Sequence, residues 1–205
     1  MKMLKNLILI LLIAIISGCG KNDTSQNKDN KDNKDNKTSQ QTKSTDASNK
    51  SSDLKFFKIS NSQNSEKRNV APEITWDENG KQVKLSDLKG NVVLVNFWAT
   101  WCKPCVGEMP DLSLISQELK DKNFKIIGIS TEDPKTIENF LKTKPVDYSI
   151  LNGNEQTMDV FAKAGGTQID GIPATFIIDK DGKIVEFFMG SKSKADFNNI
   201  IKKYL

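Results

Sequence analysis

The chain has 205 residues, a formal net charge of +4 and no histidine. Without histidine, the usual zinc and copper ligand sets, the Ser-His and Cys-His nucleophile pairs, and any imidazole acid or base are excluded. The basic surplus is nearly all lysine, with Arg68 the single arginine, and it is interspersed with acids; bidentate reading of phosphate or guanine favours arginine, so no nucleic-acid partner is expected.

The chain opens with MKMLKNLILILLIAIISGCG: Lys2 and Lys5 form a positive start, Leu7 to Ile16 an apolar run, and Ser17 and Gly18 a small-residue exit. That order is the pattern of an export signal, and the apolar run falls short of the roughly 20 residues of a comfortable membrane span. Its ending, Ile16-Ser17-Gly18-Cys19, resembles a bacterial lipobox, in which the cysteine is alkylated with diacylglycerol and the signal is cut just before it. Residues 1–18 are then a lipoprotein signal peptide and Cys19 the lipidation site, with the lipid bilayer as partner through acyl chains. The alternatives are an ordinary signal peptide or an uncleaved anchor; each leaves the folded part outside the cytoplasm, and the lipobox reading places it lipid-anchored on the bacterial cell membrane.

Residues 19–68 read as the lipidated cysteine followed by a disordered tether. They repeat Lys-Asp-Asn three times in succession and carry few large apolar side chains, too few to offset the entropy of ordering. The patch Leu54-Lys55-Phe56-Phe57 interrupts the tether, and the sequence leaves its packing open.

Residues 69–205 form the predicted domain. Asn79-Gly80 is a hairpin turn signal between two short strand-like runs. Val92 to Phe97 is continuous and β-branched, as a strand buried on both faces would be. WCKPC follows at residues 101–105, then a run with Val106, Met109, Leu112, Ile115 and Leu119 at helical spacing. Phe124 to Ile129 reads as a second core strand, Pro134 to Lys142 as a helix opened by proline, DYSIL as a short strand, and Glu155 to Ala164 as a short helix. ATFIID and KIVEFFMG form a hairpin, and Ala195 to Tyr204 a final amphipathic helix. The order βαβ, an inserted αβα region, then ββα describes an α/β sandwich with a central mixed sheet flanked by helices, preceded by a β-hairpin.

Two cysteines two residues apart can hold half a metal site, close a small structural disulfide, or exchange electrons with other thiols. A structural zinc site needs four ligands, and a disulfide across so short a loop gains little stability. VNFWATWCKPCVGEMP, with APEIT and KGNVVLVNFWA before it and GIPATFIIDKDGKIV after it, resembles the thioredoxin fold, and more narrowly the TlpA/ResA-like membrane-anchored thiol-disulfide oxidoreductases of bacteria. The resemblance covers roughly residues 70–205. Asn96, where thioredoxin has a buried aspartate, and the insertion between the middle strands are features of that branch.

A helix N-terminus lowers the cost of forming a thiolate, so Cys102 is the expected nucleophile, with Cys105 one turn later to resolve the mixed disulfide. Lys103 and Pro104 would tune the redox potential. Glu108, three residues past Cys105, returns near the same helix face and matches the glutamate with which the family modulates thiol protonation; a solvated first-turn carboxylate is the alternative. Pro173 is either a mark of strand start or, as the resemblance implies, a cis-proline facing the cysteines, with the Ile172 backbone free to pair with substrate. Trp101 is expected at the rim; Trp98 shields the disulfide or is plain core. The resemblance implies protein-disulfide reduction through a redox-active Cys102–Cys105 disulfide, no other cofactor and no metal. The implied partners are a disulfide-bearing exported protein, such as apocytochrome c or another redox protein, and a membrane electron donor of the CcdA/DsbD type. Alternatives are a thiol-dependent peroxidase, whose Pro-X-X-X-Thr-X-X-Cys pattern is missing, and a non-catalytic thioredoxin-like surface lipoprotein.

Overall fold

The computed structural model describes residues 54–205. The expected signal peptide, the lipidation site Cys19 and the tether up to residue 53 lie outside the described residues. Strands β1 (Phe56–Gln63), β2 (Glu73–Glu78), β3 (Lys81–Lys84), β4 (Val92–Phe97), β5 (Phe124–Ser130), β6 (Ser149–Asn152), β7 (Ala174–Ile178) and β8 (Ile184–Met189) form one sheet in the order β3-β2-β1-β6-β5-β4-β7-β8. Neighbours from β1 through β6 and β5 to β4 run parallel; β2, β3, β7 and β8 join antiparallel. Helices α1 (Lys103–Glu118), α2 (Pro134–Thr143), α3 (Glu155–Gly165) and α4 (Lys194–Ile201) cover the two faces. This is the mixed-sheet α/β sandwich expected from the sequence, with the insertion comprising α2, β6 and α3.

The two-residue period of a strand divides the core. Val92 and Leu94 of β4 pack on one face with Met109, Leu112 and Ile115 of α1, Ile137 and Leu141 of α2, and Phe197 and Ile201 of α4. Val93, Val95 and Phe97 pack on the other with Val160 and Phe161 of α3 and with Ile74 and Trp76 of β2. All six residues of β4 are buried, as the unbroken apolar run predicts for a strand covered on both sides. At the β2–β3 turn Asn79 and Gly80 both have positive φ, 55° and 80°, the conformation that a two-residue hairpin requires. Among the described residues no helix is long and apolar enough to cross a membrane.

One expectation is corrected. Within the tether expected up to residue 68, Phe56–Gln63 is a strand inside the sheet, parallel to β6 on one side and antiparallel to β2 on the other. Phe56 to Lys58 pair with β6 and Ile59 to Gln63 with β2, so each part of the strand has a backbone partner and ordering does not depend on a strong apolar side-chain pattern. Phe56 and Phe57 supply apolar contacts to opposite faces, and Ser62 Oγ bonds Thr157 Oγ1 of α3 at 3.0 Å in the interior.

Gly128 of β5 lies under the site end of the sheet, where an added Cβ would stand 2.7 Å from Ile150 Cδ1 and 3.1 Å from Trp98 Nε1. Gly128→Ala should therefore destabilise by about 1–3 kcal/mol through overpacking. Gly107, exposed on α1 with nothing within 4 Å of a Cβ, should instead gain about 0.5–1 kcal/mol on replacement by alanine. Urea unfolding of the two variants checks the opposite signs.

Candidate active site

At the carboxyl end of β4, Trp98 N–H still donates to the Ile129 carbonyl at 3.0 Å. The chain then turns through Ala99 to Trp101, closed by a bond from Cys102 N–H to the Ala99 carbonyl at 3.1 Å. Cys102 is the N-cap of α1 with extended backbone, and its sulfur accepts the N–H of Cys105 at 3.3 Å. A cap residue satisfies a backbone donor that the first helical turn leaves without a partner; here the cap atom is sulfur. Pro104, which has no N–H to satisfy, suits the first turn. Lys103 and Pro104 are both exposed there.

Cys102 and Cys105 are joined as a disulfide with Cα atoms 5.3 Å apart. Both are nearly enclosed, 4% and 1% exposed, whereas the neighbouring Trp101 is 72% exposed. Trp98 is core: it is buried and packs against Phe140 at 5.5 Å between ring centroids. The Ile172–Pro173 peptide bond is cis, and the Ile172 carbonyl oxygen lies 3.7 Å from Cys102 Sγ. The structure thus brings together Cys102, Cys105, Trp101, Ile172 and Pro173.

Glu108 is buried, not solvated, at 2% exposure. Asn96 follows Val92 and Leu94 on the strand face that meets α1, and its Nδ2 donates to Glu108 Oε1 at 2.9 Å and to Thr175 Oγ1 at 3.1 Å. The backbone N–H of Lys192 donates to Glu108 Oε2 at 3.2 Å. Burial pushes the Glu108 carboxyl above its ordinary range; the Lys192 N–H, Asn96, Ser191 and the Lys192 charge oppose the rise without cancelling it. Nearby, burial pushes the Tyr148 hydroxyl up, and the Glu108 charge adds to the effect. Tyr148 Oη and Trp98 Nε1 are buried with no hydrogen-bond partner among the described residues.

Thr175 and Glu132 are not evident from the sequence. Thr175 stands opposite Asn96 in the β4–β7 register, and the one signal for it is its place two residues beyond Pro173. Glu132 accepts from Thr100 N–H at 2.6 Å and from Thr100 Oγ1 at 2.7 Å, tying the loop before Cys102 to the loop after β5. The general rule that parallel sheets build sites at the carboxyl ends of their strands would have pointed to that loop.

A disulfide at the opening of the helix that follows a central strand, with the residue before a cis-proline against its first sulfur, defines the class of thioredoxin-fold thiol-disulfide oxidoreductases. Residues 65–202 match the Redoxin family. A "Thiol-disulfide oxidoreductase ResA" of Bacillus cereus is 35% identical over 132 residues, 63% of this chain and 73% of that protein. The protein of the same name from Bacillus subtilis (strain 168) is 33% identical over 150 residues, 71% of this chain and 79% of that one. Among solved structures, a thiol:disulfide interchange protein of the thioredoxin family from Chlorobium tepidum TLS is similar with a TM-score of 0.60 at 31% identity, covering 68% of this chain and 98% of that one. The chain belongs to the Redoxin family, in its TlpA/ResA-like branch of thiol-disulfide oxidoreductases.

The raised Glu108 carboxyl has a consequence for stability. The unfolded carboxyl ionises near 4.5 and the folded one only at higher pH, so between the two the native state holds the extra proton. The stability this contributes is full below 4.5 and is lost as pH rises through the folded value. The stability difference between wild type and Glu108→Gln, measured by urea unfolding from about pH 4 to about pH 8, should shift against the wild type as pH rises; a constant difference contradicts the assignment.

Proposed function

We propose that the chain is an extracytoplasmic protein-disulfide reductase, lipid-anchored to the membrane through Cys19. The observation that carries the reading is the sulfur of Cys102 at the N-terminus of α1, beside an exposed tryptophan and the carbonyl of Ile172. The reduced Cys102 thiolate attacks one sulfur of a substrate disulfide, forming a mixed disulfide and releasing the first substrate thiolate, which takes up a proton. Cys105, deprotonated, then attacks Cys102 Sγ; the second substrate thiolate leaves and is protonated. Two electrons pass to the substrate, and the Cys102–Cys105 disulfide described above is the product. A membrane dithiol donor of the CcdA/DsbD type would return the two electrons. The substrates would be specific exported proteins, apocytochrome c or another redox protein among them.

Helix N-terminal N–H groups and the positive end of the helix dipole favour the Cys102 thiolate. Glu108, one turn beyond Cys105, acts on the same equilibrium: its negative charge opposes ionisation of a nearby thiol, and a proton on Glu108 relieves that opposition. Lys103 and Pro104 sit where they modulate the potential, and the Ile172 backbone is available to pair with an extended substrate segment.

Cys105→Ser should accumulate a mixed disulfide between Cys102 and the substrate in cells, and Cys102→Ser should abolish both trapping and reduction. A Cys102–Cys105 potential below about −220 mV supports the reducing direction, and one near about −120 mV overturns it. Glu108→Gln should move the pH profile of Cys102 alkylation toward lower pH, since a negative charge is lost; an unchanged profile removes Glu108 from the mechanism.

A further inference from the structure

Glu132 takes no part in the sulfur exchange itself, yet all of its polar atoms are committed beside the cysteine loop. Its Oε2 accepts from the Thr100 N–H at 2.6 Å and its Oε1 from the Thr100 hydroxyl at 2.7 Å. Ser130 Oγ, on the last residue of β5, donates to Oε2 at 3.2 Å and accepts the Glu132 N–H at 3.4 Å. The Glu132 carbonyl accepts from Asn152 Nδ2 at 2.8 Å, and the same amide reaches the Ser130 carbonyl at 3.2 Å. Ser130 and Asn152 are both buried. The ends of β5 and β6 thus fix the carboxylate from beneath, and it grips both donors of the residue two places before Cys102. From Thr100 the constraint reaches the sulfur through a single turn, closed by Cys102 N–H on the Ala99 carbonyl at 3.1 Å. Hydrogen bonds to a charged acceptor are stronger than neutral ones. The pairing of β4 does not demand this grip, because Thr100 lies past the last residue of the strand, Phe97.

We infer that Glu132 is a positioning residue for the nucleophile: its carboxylate clamps residues 99–101 so that Cys102 Sγ stays within reach of Cys105, and thereby sets how readily the pair closes. The inference rests on the Cys102–Cys105 pair being redox-active and is independent of the direction in which electrons pass. In the closing step the Cys105 thiolate attacks Cys102 Sγ of a mixed disulfide. The bond from Cys102 to the partner sulfur breaks, the Cys102–Cys105 bond forms, and the partner sulfur leaves as a thiolate that takes up a proton. The step is intramolecular, so it scales with the effective concentration of one sulfur at the other, which falls when either gains freedom. Cys105 lies within α1 and is held by the helix, whereas Cys102 is its cap, with extended backbone and the loop on its other side. Glu132 fixes that loop to the sheet. Through Asn152 the clamp also draws on β6, so the insertion acts on the chemistry by holding the cysteine loop still.

The test equilibrates the full-length chain in glutathione buffers at neutral pH, quenches with acid, and counts by mass the peptide carrying Cys102 and Cys105 as dithiol, glutathione mixed disulfide and internal disulfide. At known glutathione concentration, the ratio of internal to mixed disulfide is the effective concentration of the pair. Glu132→Ala should lower it about tenfold, which raises the potential of the couple by about 30 mV. Glu132→Gln should keep most of the wild-type value, because its amide oxygen can accept the Thr100 N–H and its Nε2 can donate to the Thr100 hydroxyl. Thr100→Val, which drops the hydroxyl and keeps the N–H, should show a smaller fall. Asp133→Ala removes the neighbouring carboxylate and the cap of α2; it should weaken the fold and leave the ratio unchanged. A wild-type ratio in Glu132→Ala overturns the inference, as does an equal fall in Asp133→Ala, the mark of a general loss of stability. A change confined to the equilibrium that forms the mixed disulfide also overturns it, since charge and not position is then at work. Should Glu132→Ala fail to fold, an unchanged ratio in Thr100→Val overturns the clamp. A wild-type chain that exchanges no sulfur with glutathione overturns the oxidoreductase reading itself, and the clamp falls with it.

Discussion

A sulfur atom takes the place at the head of α1 that a serine or aspartate oxygen usually fills, and the rest of the site is arranged around that substitution. In the disulfide state the Cys105 N–H still finds an acceptor at 3.3 Å; in the reduced state a thiolate would accept the same bond more strongly, because one partner is ionised. The head of the helix must be held still for this to matter. β4 is buried along its whole length between β5 and β7, which leaves the strand-to-helix junction little freedom. Because β5 is parallel to β4 and β7 antiparallel, the end of β5 and the start of β7 reach the same pole of the sheet. Their adjoining loops therefore deliver Glu132 and Ile172 to either side of the cysteine loop.

Beneath the disulfide the design is polar and buried, which is costly unless every group is satisfied. The Asn96 amide nitrogen meets it: its two hydrogens go to Glu108 and to Thr175. An aspartate at that position would set two carboxylates side by side and drive one of them further toward the neutral form. The amide donates where a carboxylate would repel, so a single titratable carboxyl lies one turn from the resolving cysteine, and burial alone is the main force raising it.

Much of this is legible in the residues alone. The unbroken run from Val92 to Phe97 announces a strand covered on both faces, the Cys-X-X-Cys pair falls at its end, and Asn79-Gly80 marks the hairpin, because each is a local signal with a local cause. What escapes is set by pairing across the fold. β1 carries serine, asparagine and glutamine through much of its length and is held by neighbours from two distant parts of the chain, so no period in its own sequence reveals it. The burial of Glu108 depends on an amide in β4 and an N–H at Lys192, 84 residues away; a charged residue in a first helical turn reads equally well as solvated. Glu132 and Thr100 meet because two adjacent parallel strands end together, a property of sheet order and not of either segment.

The inclusion of β1 also gives the domain a polarity. β1 runs parallel to β6, β5 and β4, and β4 leads into the cysteines at its carboxyl end. Through the register Phe56↔Ile150, Ile150↔Gly128 and Gly128↔Asn96, Phe56 at the start of β1 is level with Asn96, near the carboxyl end of β4. The later residues of β1, Ile59 to Gln63, run on past its last β6 partner, Asn152, and pair with β2. β1 therefore braces β6 at the level where β5 and β4 end side by side, and it is those two strand ends that carry Glu132 and the cysteine loop.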